Sequence, residues 1–428
     1  MSDRFDVIVV GAGVAGATAG YVLAQAGLEV VVIERGNYAG SKNMTGGRLY
    51  GHSLEKIIPN FAAEAPVERK VTKEKVSFLT GDGAVTLDFY AGALGDPQNA
   101  SYTVLRGVFD QWLAGKAEEA GAVLAAGVRV DELLVQDGKV VGVKAGEDVL
   151  EADVVILADG VNSLLAQQVG LRQELHPHQV AVGVKEVIEL PEQVIADRFN
   201  LSGDEGLSWL FAGACTGGIM GGGFLYTNKS SLSLGLVCTL SDMGRAQKTL
   251  PEMLEDFKQH PVIRPLIKGG KLIEYSGHLV PEAGINMMPK LFSDGVVMVG
   301  DAAGFVINTG YMVRGMDLAV ASAEAAAKAV IQAKEKGDFS AQSLSVYQQL
   351  LEQSFVLQDL RLYKKAPEFM NNPRIFNDYP AMAVSLMTDL FKVDGSPNKS
   401  LLAKVNQSIK RVGLATLLKD GLKGVRAI

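Results

Sequence analysis

The chain has 428 residues, 48% of them hydrophobic, with 48 glycines and a formal net charge of −7. That length supports two or three domain-sized units with well-buried cores, and the acidic balance argues against nucleic acid as a partner. Two cysteines, Cys215 and Cys238, are too few for a four-thiolate iron–sulfur cluster; without a run of eighteen apolar residues or a secretory leader, a cytoplasmic protein with free thiols and no membrane span is expected.

The N-terminal segment Asp6-Val-Ile-Val-Val-Gly-Ala-Gly-Val-Ala-Gly16, followed by Val30-Val-Val-Ile-Glu-Arg35, reads as strand, Gly-rich turn, helix and second strand. Continuous apolar runs mark buried parallel strands. Gly11 allows the tight turn, Gly13 lets a pyrophosphate approach the backbone, and Gly16 lets the helix pack on the strand. The helix N-terminus then offers free N–H groups and positive dipole to phosphates. Glu34 ends the second strand, where a carboxylate can accept from a ribose diol. A turn that only packs a helix on a sheet leaves Glu34 unexplained, so an adenine dinucleotide is expected.

A loop through Lys42 and Arg48 follows. Short strands are expected at Val76–Leu79 and Val85–Leu87, a helix over 107–120, and two strands within Val128–Val143 around the Asp137-Gly138 turn. Ala152–Leu157 is a further buried strand, ending in Asp159-Gly160. From His178 to Val280 the pattern alternates, with expected strands at Val180–Leu190, Leu207–Ala214, Gly222–Thr227, Ser231–Thr239 and Leu272–Val280 and one helix at Pro251–Leu266. This reads as an antiparallel sheet. The segment Met220–Phe224 is almost bare of side chains, which suits either close approach of a flat molecule or a bulge.

Asp294–Val299 is a third buried strand. It ends in Gly300-Asp301, a small-residue turn and an Ala-rich helix from Asp317 to Val330. Three strand ends thus carry glycine plus an acid, and open α/β sheets bind ligands at strand C-terminal ends. Turn or N-cap chemistry is the plainer account of each acid taken singly. The five histidines are scattered, so no metal is expected. After Val330 the chain reads as helical and loop-rich. The stretch Lys399–Ile428 carries seven basic residues and one acid, a net +6 against −13 for the remainder. Leu402, Val405, Ile409 and Val412 fall at helical spacing there. This suits a helix on an anionic membrane or one that packs its apolar stripe on the body.

The three strand ends resemble the FAD-binding family of glutathione-reductase type, in the group with para-hydroxybenzoate hydroxylase, geranylgeranyl reductase and the electron-transfer-flavoprotein:quinone oxidoreductases. Ser41–Tyr50, Tyr102–Leu113, Met220–Asn228 and Gly304–Asp317 narrow this. They are similar to segments of the FixC-type flavoproteins, and the similarity runs along essentially the whole chain. The resemblance implies an α/β fold: a Rossmann-like FAD-binding domain (1–175 and 286–335), an inserted antiparallel-sheet substrate or quinone domain (176–285) and a helical C-terminal region (336–428).

It also implies FAD contacts. The first half-site would use Gly11, Gly13, Ala15, Gly16, Glu34 and Arg35, the next loop Lys42, Thr45, Gly46, Gly47 and Arg48, and then Arg106 and Val130. The later strand ends would supply Asp159, Gly160, Gly300, Asp301, Ala302 and Gly304. Gly310, Tyr311, Met312 and Val313 would lie near the isoalloxazine, where helix N-termini and N–H groups favour the reduced anion. Arg48 and Arg106 are candidate anchors for phosphate or the flavin edge. The implied activity is electron transfer from an electron-transfer flavoprotein (FixA/FixB-like) to quinone or a ferredoxin-like iron–sulfur protein (FixX-like). The Cys-rich cluster extension of the quinone oxidoreductases is absent, so a cluster would reside on that separate partner. The basic C-terminal region suggests peripheral contact with the inner face of the bacterial membrane. Alternatives are an NAD(P)H-dependent flavin reductase or hydroxylase of a small molecule or isoprenoid, and a non-catalytic flavin-bearing subunit of a complex.

Overall fold

The apolar runs Val7–Val10, Val30–Ile33 and Val154–Leu157 form adjacent strands that bury both faces, as parallel strands sandwiched between helices must. The computed structural model describes residues 3–42 and 47–428. The strands of the first part are β1 (Asp3–Val10), β2 (Val30–Glu34), β3 (Arg48–Tyr50), β4 (Val67–Leu79), β5 (Ala84–Tyr90), β6 (Ser101–Val104), β7 (Val123–Ala126), β8 (Glu132–Gln136), β9 (Lys139–Ala145) and β10 (Asp148–Leu157). Then come β11 (Val180–Glu189), β12 (Glu205–Gly213), β13 (Gly221–Thr227), β14 (Ser231–Thr239), β15 (Lys271–Pro281), β16 (Phe292–Ser293), β17 (Val296–Met298), β18 (Ile307–Asn308) and β19 (Val313–Arg314).

The first sheet runs β16-β17-β10-β1-β2-β7, with the β8–β9 hairpin attached to β10. Its four central pairings are parallel. The helix Val14–Gln25 covers it and packs on the helices Arg106–Glu119 and Met316–Lys336. Asp137 and Gly138 both take positive φ between β8 and β9, the turn that suits the twist of a two-residue hairpin.

The second sheet has nine strands, β15-β11-β14-β13-β12-β4-β6-β3, with β5 on β4. It therefore draws on more than 176–285. The strands of 48–104, expected in the first FAD-binding part, belong to this sheet, because β4 pairs in parallel with β12 from Glu205↔Lys70 to Gly213↔Leu79. Such long-range pairing leaves no mark on local alternation. The helix expected over Pro251–Leu266 is two: Leu250–Gln259 and a turn at Arg264–Ile267. His260 between them precedes Pro261 and has ψ 137°, the extended conformation that a following proline imposes.

The C-terminal region is helical, ending in Asp378–Phe391, Leu401–Val412 and Leu414–Ala427. Its last helices pack polar and small residues inward. Leu401–Val412 buries Lys404 and Ser408, and Leu414–Ala427 buries Asp420, Gly424 and Ala427. Asp420 accepts from Arg374 Nε and Nη2 (2.6 and 3.0 Å), Asn372 Nδ2 (2.8 Å) and Tyr379 Oη (2.5 Å). Gly424 lies where a Cβ would be 2.9 Å from the Phe369 ring. Leu414, Leu418, Leu422 and Val425 consequently face outward. The stripe read from sequence, Leu402 to Val412, is exposed at Leu402 and half-buried at Val405, Ile409 and Val412, so it is not the main packing face.

Candidate functional site

Gly11 closes β1 with φ +101°, and a Cβ there would stand 2.4 Å from the Ala158 carbonyl oxygen, so the ends of β1 and β10 meet backbone to backbone. At Gly16 a Cβ would meet the Gly11 oxygen at 1.7 Å. Gly13 caps the following helix without a side-chain hydrogen bond, and no acid sits in the first turn. That leaves backbone donors and positive dipole available to an anion. Glu34 is 8% exposed. Its Oε2 accepts the Ala12 N–H (2.9 Å) and its Oε1 the Gly36 N–H (2.7 Å). The carboxylate thus ties the turn to β2, and each oxygen keeps a further lone-pair direction. Arg35 and Lys42 are exposed, and Val130 is half-buried against the core of the first sheet. Thr45 and Gly46 lie outside the described residues.

The later strand ends converge beside this turn. Gly300 has φ +60°, and its Cβ would be 3.0 Å from Ala15 Cβ. Gly304 also takes positive φ as it closes the turn Gly300–Ala303. Asp159 accepts Ser163 Oγ at 2.9 Å, and burial pushes its carboxyl up to about 6, with Ser163 and the more distant Arg172 and Arg35 opposing. Burial also raises Asp301, against the fields of Arg106 and Arg172. Arg106 makes a two-pronged pair with Asp110 (2.7 and 2.8 Å).

Arg172 had no sequence signal. It is 6% exposed and donates from Nη1 to Val161 O (2.7 Å) and Ala302 O (3.2 Å). Its Nη2 has no partner among the described residues. A buried guanidinium with an unfilled donor is a costly arrangement unless a ligand acceptor completes it.

Beside this turn lies a cavity of about 290 Å³, near the lower end of ligand-pocket sizes; Asp159 and Arg172 stand outside its lining. One wall holds Gly13, Ala15, Gly160, Asp301 and Arg106. The hairpin β18–β19 adds Gly310 (φ +84°), Val313 and Arg314. Tyr311 and Met312 are not in the wall; they form the hairpin tip, where Thr309 N–H donates to Met312 O (3.0 Å). Arg314 is held by Asp317 Oδ2 (2.8 and 2.6 Å) and Asp359 (2.6 Å). Asp317 sits in the first turn of Met316–Lys336, fully buried, also within 3.2 Å of His52 Nε2, with Oδ1 unpartnered among the described residues. Sequence reading saw neither Arg314 nor Asp317 as part of the site.

The facing wall comes from the second sheet: Phe211, Gly221–Gly223 and Tyr226, with Met370 and Phe376 from the helical region. The glycines are sterically required. A Cβ at Gly221 would be 2.2 Å from Val237 O, and one at Gly222 2.7 Å from Phe211 O. Gly47 lies flat on Tyr226, whose ring a Cβ would meet at 2.5 Å. Arg48 lines the cavity, but its charge is balanced by Glu74 (2.5 Å), and it also donates to Ser101 Oγ. Cys215 and Cys238 are buried free thiols, each pushed up to about 12 by burial, hence unreactive. Among the described residues no group of three His, Cys, Asp or Glu is placed to hold a metal ion.

The uncapped helix start, the cradle that tolerates no Cβ, the orphan Arg172 donor and the adjoining cavity together fit a dinucleotide whose ring system reaches into the cavity. Comparison with known proteins agrees. A family model described as FAD dependent oxidoreductase matches residues 6–78 and 66–329, and one for the ETF-QO/FixC family C-terminal domain matches 366–428. The probable electron transfer flavoprotein-quinone oxidoreductase YdiS of Escherichia coli K12 is 60% identical over 100% of this chain and 99% of its own. Protein FixC of Salmonella typhi is 57% identical over the same shares. Among solved structures, a geranylgeranyl bacteriochlorophyll reductase-like protein from Thermoplasma acidophilum superposes with TM-score 0.75 at 20% identity, covering 99% of this chain and 100% of that one. A myxobacterial FAD-dependent halogenase, CndH, gives 0.65 at 19%, covering 99% and 97%; these two likenesses concern the fold. FAD supplies redox chemistry that side chains lack, and the protein supplies its binding, orientation and field. With both family models matching and relatives 57–60% identical over the whole chain, the chain belongs to the ETF-QO/FixC family of FAD-dependent oxidoreductases.

Proposed function

We propose that this protein receives electrons from an electron-transfer flavoprotein, of the FixA/FixB kind, and passes them through FAD to a quinone. The observation that carries this is the cavity's second wall. Opposite the cofactor turn it presents Gly221–Gly223, Phe211, Met370 and Phe376, a flat apolar face on which a quinone ring can lie close to the flavin. The names of the relatives, FixC and electron transfer flavoprotein-quinone oxidoreductase, support the same reading. FAD would be held by the Gly11–Gly16 turn, Glu34, Arg172 and the Asp159 and Asp301 strand ends. Gly310 and Val313 would face the ring system.

The exposed leucines and basic residues of the last two helices favour work at an anionic membrane surface, where a lipid-soluble quinone resides. No helix of the described residues is long and apolar enough to cross a membrane, so the contact would be peripheral. A ferredoxin-like partner, FixX-like, is the second acceptor considered; two buried thiols leave any cluster to that partner. The test is anaerobic. The bound FAD is reduced chemically, and its reoxidation is followed on adding a short-chain quinone or an oxidised ferredoxin; the oxidised protein is mixed separately with reduced electron-transfer flavoprotein or with NAD(P)H. Rapid reoxidation by quinone, together with reduction by electron-transfer flavoprotein and none by NAD(P)H, is expected. Reduction by NAD(P)H with turnover of a small substrate would instead identify a reductase or hydroxylase.

A further inference from the structure

We propose that Glu282 passes protons between solvent and the electron acceptor in the cavity; this rests on the quinone reading above. Glu282 directly follows β15, where its N–H is fixed to Gln179 O at 2.8 Å. Its side chain, 9% exposed, lines the 290 Å³ cavity. It also lines a second cleft behind it, bounded by Ile285, Asn308, Leu360, Tyr363 and Pro367. That cleft holds about 10 Å³, the room of roughly one water. Among the described residues Glu282 is the one ionisable group common to both walls. Among the described residues its carboxyl has a single hydrogen bond, from Thr239 Oγ1 to Oε2 at 2.8 Å, and no ion pair.

The other ionisable groups of the cavity are poorly suited to exchange a proton. An arginine guanidinium does not release its proton, burial drives Tyr226 far above neutrality, and Asp301, which burial raises against the fields of Arg106 and Arg172, sits on the wall of the cofactor turn and does not reach the second cleft. Reducing a quinone to a quinol takes two electrons and two protons. One proton leaves with the two electrons of the reduced flavin. The other is Glu282's: its O–H bond breaks as an O–H forms on the quinone oxygen, and the carboxylate is reprotonated by water from the second cleft. Burial pushes the Glu282 carboxyl up to about 7, with the Thr239 bond opposing and the nearby Asp242 adding. Asp242 is itself paired with Arg245 and bonded to the Met220 N–H. Cys238 on the neighbouring strand is held protonated by burial, as is Tyr363 across the second cleft. His176 and His178 lie on the turn that carries Gln179, and Arg314 faces the same cavity, locked to two carboxylates.

The experiment uses FAD-loaded wild type, Glu282→Gln and Glu282→Asp, chemically reduced. Each is reoxidised by ubiquinone-1 or by ferricenium, which takes electrons without protons. Glu282→Gln should slow the quinone reaction at least tenfold, within the reach of a general acid, and leave ferricenium unaffected. Glu282→Asp should recover part of the rate, and the quinone rate should fall as pH rises through about 7 in wild type but not in Glu282→Gln. Equal slowing with both oxidants, or no slowing, overturns the proposal. Should wild type not reduce ubiquinone-1 at all, the quinone reading fails. Glu282 is then judged on the pH dependence of the flavin midpoint potential. An inflection near pH 7 lost in Glu282→Gln upholds it, and identical curves overturn it.

Discussion

Replacing Leu414, Leu418, Leu422 and Val425 together by glutamine should detach the protein from anionic membranes while leaving its fold and FAD content intact. These side chains are 58%, 60%, 59% and 83% exposed, so the folded body loses little when they change. Full transfer of such a side chain out of water is worth roughly 1.5–3 kcal/mol; the exposed share is about 1–2 kcal/mol each, or about 4–8 kcal/mol for the set. If the helix sinks only halfway into the interface, about 2–4 kcal/mol remains, roughly a 30- to 700-fold loss in partitioning. Lys399, Lys410, Arg411, Lys419, Lys423 and Arg426 are exposed beside them and add attraction of about 1 kcal/mol each near an anionic surface, which salt screens. Vesicle sedimentation at low and high salt reads both parts. The variant should bind weakly and lose nearly all binding at high salt, while wild type keeps a salt-resistant part. Unchanged sedimentation of the variant would refute the reasoning, and so would unfolding, since it would mean these leucines are packing residues.

Asp420→Ala should release the last helix. It removes four hydrogen bonds, two of them from Arg374, and leaves half-buried donors unpaired, a loss of about 2 kcal/mol once the half-exposed setting of Arg374 is discounted; limited proteolysis near residue 413 measures it. Arg374 holds the Asp420 carboxyl well below the usual range, so this clamp is present above the unfolded carboxylate pKa and weakens only as pH falls through the lower folded value. Glu282 behaves oppositely. With its folded value raised from 4.5 to about 7, its contribution is lost as pH rises between those values, so Glu282→Gln should be more stable than wild type at pH 8, by about 3 kcal/mol at most, and the two should converge near pH 4 in denaturant titrations. Gly11→Ala forces a Cβ against Ala158 O at a positive φ and should cost about 3 kcal/mol with loss of bound FAD, seen in flavin content and thermal midpoint. Glu34→Gln replaces one acceptor oxygen by a donor facing the Ala12 or Gly36 N–H; weaker FAD binding and a loss of about 1–3 kcal/mol in stability are expected, and unchanged flavin titration would show that the carboxylate serves the turn alone.

The cofactor half of this protein was legible in the sequence because its signals are local. A buried parallel strand is a continuous apolar run, and a turn with no room for a Cβ must be glycine. Gly11, Gly13, Gly16, Asp159 and Asp301 therefore stand out one strand end at a time, and the hairpin at Asp137-Gly138 shows in two residues. What brings distant segments together left no such trace. The parallel pairing of β4 with β12 moved the strands of 48–104 into the second sheet, although their own alternation is silent about their partner. Arg172 and Glu282 look like ordinary surface residues in the sequence. Only their burial between the strand ends and beside the second cleft makes one an unfilled donor and the other a weak acid near neutrality, because desolvation is a property of the packed surroundings. In the Lys399–Ile428 stretch, the stripe Leu402 to Val412 suited either packing or a membrane surface, and the clamp on Asp420 and the close approach at Gly424 turn the leucines of the last helix to solvent. Which side of an amphipathic helix is buried is decided by the neighbour it meets, and the chain alone does not name that neighbour.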